Sequence, residues 1–150
     1  MGYTTTFEGQ FTFNKPLDEE TFAFLTKFSQ TRRMKRNLGL EYGVEGEFFV
    51  DGLGYMGQDE TPDVIDENEP PATQPGLWCQ WRPTEDRQHL KWSRMEKFYD
   101  YIEWLEYIIS KITAPRGYIL DGKVTWQGED EQDKGFLIVI NNEVSTKHYY

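Results

Sequence analysis

Twenty-six acidic residues against sixteen basic ones give the 150-residue chain a formal charge of -10 and a sequence pI near 4.7. Affinity for phosphate backbones comes largely from lysine and arginine displacing counterions, so this balance disfavours direct nucleic-acid binding. The length suits one domain, 1-150, with a single core, and the one cysteine, Cys79, excludes an intramolecular disulfide.

From Tyr3 to Phe13 the rings of Tyr3, Phe7, Phe11 and Phe13 alternate with polar residues, the period of a half-buried strand. Asp18 is placed to cap a following helix, with Glu19 and Glu20 in its first turn and Phe22, Leu25 and Phe28 as its apolar stripe. The segment "TRRMKR", 31–36, puts Arg32, Arg33, Lys35 and Arg36 at the expected carbonyl end of that helix. Their charge either complements the helix dipole or forms a basic patch for phosphate or an acidic partner, with Arg32 and Arg36 on one side.

No Lys or Arg then occurs before Arg82, whereas the interval carries Glu41, Glu45, Glu47, Asp51, Asp59, Glu60, Asp63, Asp66, Glu67 and Glu69. "GEFFVDG", 46–52, reads as a short strand between glycines. Residues 53–76 show no period and read as a long acidic loop, either a mobile excursion or a binding loop. Asp59, Glu60, Asp63, Asp66 and Glu67 are its candidate contact residues.

"LWCQWR", 77–82, bounded by prolines, predicts one extended segment. In a strand Leu77, Cys79 and Trp81 share one side and Trp78, Gln80 and Arg82 the other, so one tryptophan belongs to the core. The other is either covered by the loop or exposed for recognition beside Gln80 and Arg82, with Arg87 or the basic helix end to hold a phosphate. Cys79 reads as a buried thiol, with no histidine nearby in sequence to activate it.

Ser93 and Glu96 have the spacing of a capping box and predict a helix from that point, with Phe98, Ile102, Leu105, Ile109 and Ile112 as its buried stripe and Pro115 and Gly117 at its end. "GKVTWQ" and "GFLIVI" predict two further strands, and Asn141-Asn142 a turn into "EVSTK". The expected fold is α+β: a two-layer domain with a mainly antiparallel sheet and two helices packed on one face.

Motifs for chemistry are few. "GYILDGKV", 117–124, approaches a phosphate-binding loop but ends in Val124 where magnesium needs a hydroxyl, and it leaves a helix rather than opening one. His89 and His148 stand in no zinc spacing, and the segment 130–141 lacks the closing glutamate of a calcium loop. Glu85, Asp86 and Glu129 lie beside tryptophan-bearing strands, a setting that a carboxylate-dependent hydrolase would use, although turns rich in acid are the simpler source. No cofactor and no metal are expected, and the balance leans away from an enzyme. With no apolar run of eighteen residues, the sequence predicts no membrane span and a reducing cytosol.

The segments "TTTFEG" at 4–9, "TRRMKR" at 31–36, "EYGVEGEFFVDG" at 41–52, "PPATQPGLWCQWRPTED" at 70–86 and "GKVTWQGED" at 122–130 resemble a family of small bacteriophage and prophage proteins. The resemblance implies an accessory protein in the host cytoplasm and transfers no residue role, since that family carries no established activity. Together with the acidic run it leads to the expectation of a non-catalytic protein that binds a host macromolecule, such as an acidic inhibitor of a nucleic-acid-binding or defence protein. The alternatives are a nucleotide- or sugar-binding protein and a hydrolase.

Overall fold

The computed structural model describes residues 2–51, 61–95 and 97–148. Six strands form one sheet in the order β4-β5-β1-β6-β7-β8, every neighbouring pair antiparallel. They are β1 Thr6–Phe13, β4 Trp81–Pro83, β5 His89–Trp92, β6 Leu120–Gln127, β7 Lys134–Ile140 and β8 Glu143–His148. A second, two-stranded sheet pairs β2 (Lys35–Arg36) with β3 (Val64–Asp66). Two helices, α1 (Glu19–Gln30) and α2 (Tyr101–Tyr107), complete the α+β fold.

The alternation in β1 determines which face of the sheet is covered. Phe7, Phe11 and Phe13 are buried, while Thr6, Glu8, Gln10 and Thr12 face solvent. Phe7 is a hub, with its ring centroid 5.3 Å from Trp81, 5.3 Å from Trp92, 5.8 Å from Phe98 and 4.9 Å from Tyr101, all edge to face. Such pairs contribute about 0.5–1.5 kcal/mol each beyond the area they bury, so a cluster of rings holds a chain whose mean hydropathy is -0.74. Gly122 sits opposite Phe11 at φ 144, where a β-carbon would stand 2.9 Å from the Phe11 Cα, so only glycine lets β1 and β6 approach here.

The start of α1 follows its sequence. Asp18 caps it, accepting from the Thr21 N–H at 2.7 Å, and these bonds hold its carboxyl below the ordinary aspartate range. Its end differs from expectation. The helix stops at Gln30 because Thr31 turns extended, and the Thr31 hydroxyl donates to the Lys27 carbonyl while accepting from the Asp51 N–H. "TRRMKR" therefore lies beyond the helix, with Lys35 and Arg36 in a strand.

Three further elements depart from the sequence reading. α2 begins at Tyr101 rather than near Ser93, since Arg94, Lys97 and Asp100 hold φ of 69, 58 and 58, which a helix does not tolerate. Ser93 instead donates its N–H to the Gln80 carbonyl, and Glu96, the other half of the expected capping box, lies outside the described residues. Most of the stripe is buried: Leu105, Ile109 and Ile112 are covered, carried on by a π-helical stretch, Ile108–Thr113, while Ile102 is half-buried and the buried Phe98 precedes the helix. Of "GEFFVDG", the described residues 46–51 form no strand; two 3-10 turns, Leu40–Tyr42 and Val44–Gly46, lead into them, with glycine at 39, 43 and 46. "LWCQWR" is strand only from Trp81, and "HLKW", four residues too short to stand out by their alternation, supplies β5 with Leu90 and Trp92 buried.

Candidate interaction surface

The charges that the sequence separates are brought together by the fold. The Arg36 guanidinium bonds the Asp63 carboxylate at 2.8 Å and lies 4.0 Å from the ring centroid of Phe49. Bonds from Thr61 and then from Arg36 pull the Asp63 carboxyl below its ordinary range. Lys35 approaches Glu45 at 3.6 Å and Glu69 at 3.8 Å, and Arg32 donates from Nε to the Glu67 carbonyl at 3.0 Å. The pairing of β2 with β3 sets these contacts, placing Lys35 opposite Asp66 and Arg36 opposite Val64.

A buried polar cluster anchors this ridge to the helical layer. Arg33, 2% exposed, donates from Nη2 to the Glu47 carbonyl at 2.8 Å and stacks its guanidinium over Phe28 at 4.2 Å. Burial lowers the Arg33 pKa to about 10, and the side chain stays a cation at neutral pH. The Glu47 carboxylate accepts from the Tyr107 hydroxyl at 2.8 Å, the Thr73 hydroxyl at 3.0 Å and the Val44 N–H at 2.9 Å. Gln74 adds bonds to the Glu47 carbonyl and to Tyr107. Segments around 33, 44–47, 73–74 and α2 thus meet on one residue, Glu47, the first through its carbonyl and α2 through its carboxylate. Sequence reasoning counted Arg33 and Glu47 among surface charges, and no local signal distinguishes a buried ionic residue from an exposed one.

Outside the ridge the 3-10 turns push apolar side chains into solvent. Leu40 is 96% exposed, Val44 51% and Tyr42 38%, next to the exposed acid Glu41. On β3, Ile65 is 57% exposed and is followed by Asp66 and the exposed Glu67. In the sequence, Leu40, Tyr42 and Val44 alternate over glycine-bounded turns with no cation among them, a pattern that the acids of the same stretch overshadow.

The candidate residues fall into separate places. Arg36 and Asp63 meet each other, as do Arg32 and the Glu67 backbone, whereas Asp66 accepts locally from the Asn68 N–H. Asp59 and Glu60 lie outside the described residues. Trp81 is the core tryptophan, fully buried with its Nε1 donating to the Tyr101 carbonyl at 2.9 Å, and Trp78 is partly exposed. Gln80 is buried and accepts from Trp92 Nε1 at 3.0 Å, Arg82 stands in β4 opposite Lys91, and Arg87 lies over the Phe22 ring at 5.0 Å. The extended-segment geometry therefore does not present Gln80 beside Trp78 as a surface donor: the backbone before Trp81 is not strand, so strict alternation fails there.

Of the three hydrolase candidates, Glu85 is exposed, and Asp86 and Glu129 are engaged in structure. Asp86 accepts from Thr84 and Gln88 in the turn before β5, and Glu129 accepts from the Thr4 N–H at 2.8 Å. Cys79 is buried and its thiol is pushed up to about 12 by that burial. Among the described residues no three His, Cys, Asp or Glu side chains group as metal ligands, and no helix is long and apolar enough to cross a membrane. Comparison with known proteins finds no matching family model, no matching curated protein and no matching solved structure.

Proposed function

We propose that this chain is a non-catalytic accessory protein of phage or prophage origin that acts in the host cytoplasm by docking on a basic surface of a host protein, such as one that binds nucleic acid. The observation that carries the reading is Leu40: an aliphatic side chain 96% exposed on a tight turn, in a stretch from 37 to 81 with ten carboxylates and no cation. Binding surfaces combine a small apolar anchor with a charged rim, and a rim of one sign steers a partner of the other. The internal pairing of Lys35 and Arg36 favours an acidic over a basic docking face, because it withdraws cations from the surface while Glu41 and Glu67 stay exposed. A nucleotide or sugar pocket around Trp78 draws less support, since Gln80 turns inward and Arg87 packs on Phe22.

The test is affinity capture from bacterial lysate with wild type and a Leu40→Ser, Glu41→Gln, Glu67→Gln variant, with quantitative mass spectrometry over a salt series. A basic protein should be enriched by wild type, released as salt rises and lost with the variant. Equal capture by both proteins would overturn the reading, as would enrichment of no basic protein at all.

A further inference from the structure

The two edges of the six-stranded sheet differ. β4 is three residues long and ends in Pro83, which has no N–H to offer, so that edge is blunted. β8 runs for six residues, Glu143–His148, with no neighbouring strand on its outer side among the described residues. The hairpin that leads into it fixes which groups face outward. Asn141 and Asn142 have φ of 49 and 69, the geometry of a two-residue type I′ turn, and Ile140 pairs with Glu143. The closing pair of such a hairpin exchanges both hydrogen bonds. Glu143, Ser145 and Lys147 therefore bond inward to β7, while the N–H and C=O of Val144 and Thr146 point to the free edge.

We propose that β8 pairs with β8 of a second copy of this chain, antiparallel about a two-fold axis through Ser145, which joins the two sheets into one. Side chains of Glu143, Ser145 and Lys147 share the open face, and those of Val144 and Thr146 the other, so a two-fold normal to the sheet must match residues within each set. With Ser145 opposite the partner's Ser145, Val144 stands opposite the partner's Thr146 and exchanges both backbone hydrogen bonds, and symmetry repeats the pair. The same register sets Glu143 opposite the partner's Lys147, again twice. Among the described residues neither Glu143 nor Lys147 has an ion-pair partner of its own.

Sliding the strands by two residues in either direction separates both charge pairs, so the register is selected by charge as well as by backbone bonding. Within each chain Phe136 neighbours Lys147 and Ile140 neighbours Glu143. The open-face row across the axis then reads Phe136, Lys147, the partner's Glu143, the partner's Ile140, which continues the sheet beside an isoleucine that is 66% exposed in the single chain. The contact is closed by its two-fold axis, and the blunted β4 edge gives no second site of this kind, so pairing stops at a dimer and does not propagate into fibres.

Mass measured by light scattering on a sizing column tests this with the full chain. Wild type should run at twice 17.8 kDa. Glu143→Lys and Lys147→Glu should each give monomer, because each places like charges opposite one another at both ends of the strand pair. The double exchange E143K/K147E should restore the dimer. Thr146→Pro should also give monomer, since it removes an outward N–H and leaves the β7 ladder bonds of Glu143, Ser145 and Lys147 in place, with circular dichroism reporting the fold. A wild type that stays monomeric at hundreds of micromolar would overturn the proposal. So would a dimer indifferent to E143K, or a double exchange that fails to re-form it.

Discussion

Arg36 and Asp63 stand 27 positions apart in the chain and 2.8 Å apart in space, joining the basic segment after α1 to the acidic segment before β4. The pair is asymmetric: the Arg36 side chain is 4% exposed and that of Asp63 26%. Removing the acid takes a carboxylate partner from a nearly buried cation, and that cost exceeds the modest value of an exposed ion pair.

Asp63→Asn should therefore destabilise the protein by about 1–3 kcal/mol at neutral pH, measured by urea unfolding. The sign of its pH dependence follows from the lowered carboxyl. Stability from a depressed pKa is present above the unfolded value and is lost as pH falls through the folded one. The gap between wild type and Asp63→Asn should thus be full at pH 7 and shrink below about pH 4. A gap that widened in acid would contradict the assignment.

Tyr107→Phe takes away one of three donors to the Glu47 carboxylate and an acceptor for Gln74, with little change of volume. A loss of about 1–3 kcal/mol is expected, read from the same unfolding curves. Burial raises the Tyr107 pKa in the folded protein, so its contribution is complete below the unfolded value, near about pH 10, and declines as pH rises beyond it. The variant should accordingly show a shallower loss of stability in alkali.

Cys79 should be silent to thiol reagents in the native state. Its thiol is buried and pushed up to about 12, so almost no thiolate forms at about pH 8. Labelling with Ellman's reagent should follow global unfolding in urea, and rapid labelling without denaturant would show that the 77–82 segment opens on its own.

Leu40→Ser separates stability from binding. A side chain 96% exposed contributes little to folding, so the substitution should change unfolding free energy by less than about 0.5 kcal/mol. Partner capture should nevertheless fall, and unchanged capture by Leu40→Ser alone would place the apolar anchor elsewhere.

Where side-chain period and backbone state agree, the fold was legible. β1, β6, β7 and the Asn141-Asn142 turn follow directly from alternation and turn chemistry, as does the cap at Asp18. Elements defined by tertiary contact were not. α2 starts late because left-handed residues at Arg94, Lys97 and Asp100 interrupt a run that is helical by pattern, and β5 exists because β1 and β4 flank it. Which of Trp78 and Trp81 is buried depends on a partner 20 positions away, the Tyr101 carbonyl that accepts from Trp81 Nε1. Charge was the least legible property. Arg33 and Glu47 become interior through partners from distant segments, 14 positions apart in one case and 60 in another, and composition records only their sign.

The place of β1 in the sheet order bears on how the protein is made. Among the described strands β1 comes earliest in chain order, yet it lies between β5 and β6, and its longest register runs from Thr6 opposite Gln127 to Phe13 opposite Leu120. A ribosome must deliver β4, β5 and α2 before that strand meets β6, its neighbour in the longest register. Distant pairing of this kind slows folding and lengthens the exposure of sticky intermediates. Slow refolding, and a yield that improves at low temperature or with chaperones, are the expected price of a sheet whose central strands pair across so long a stretch of chain.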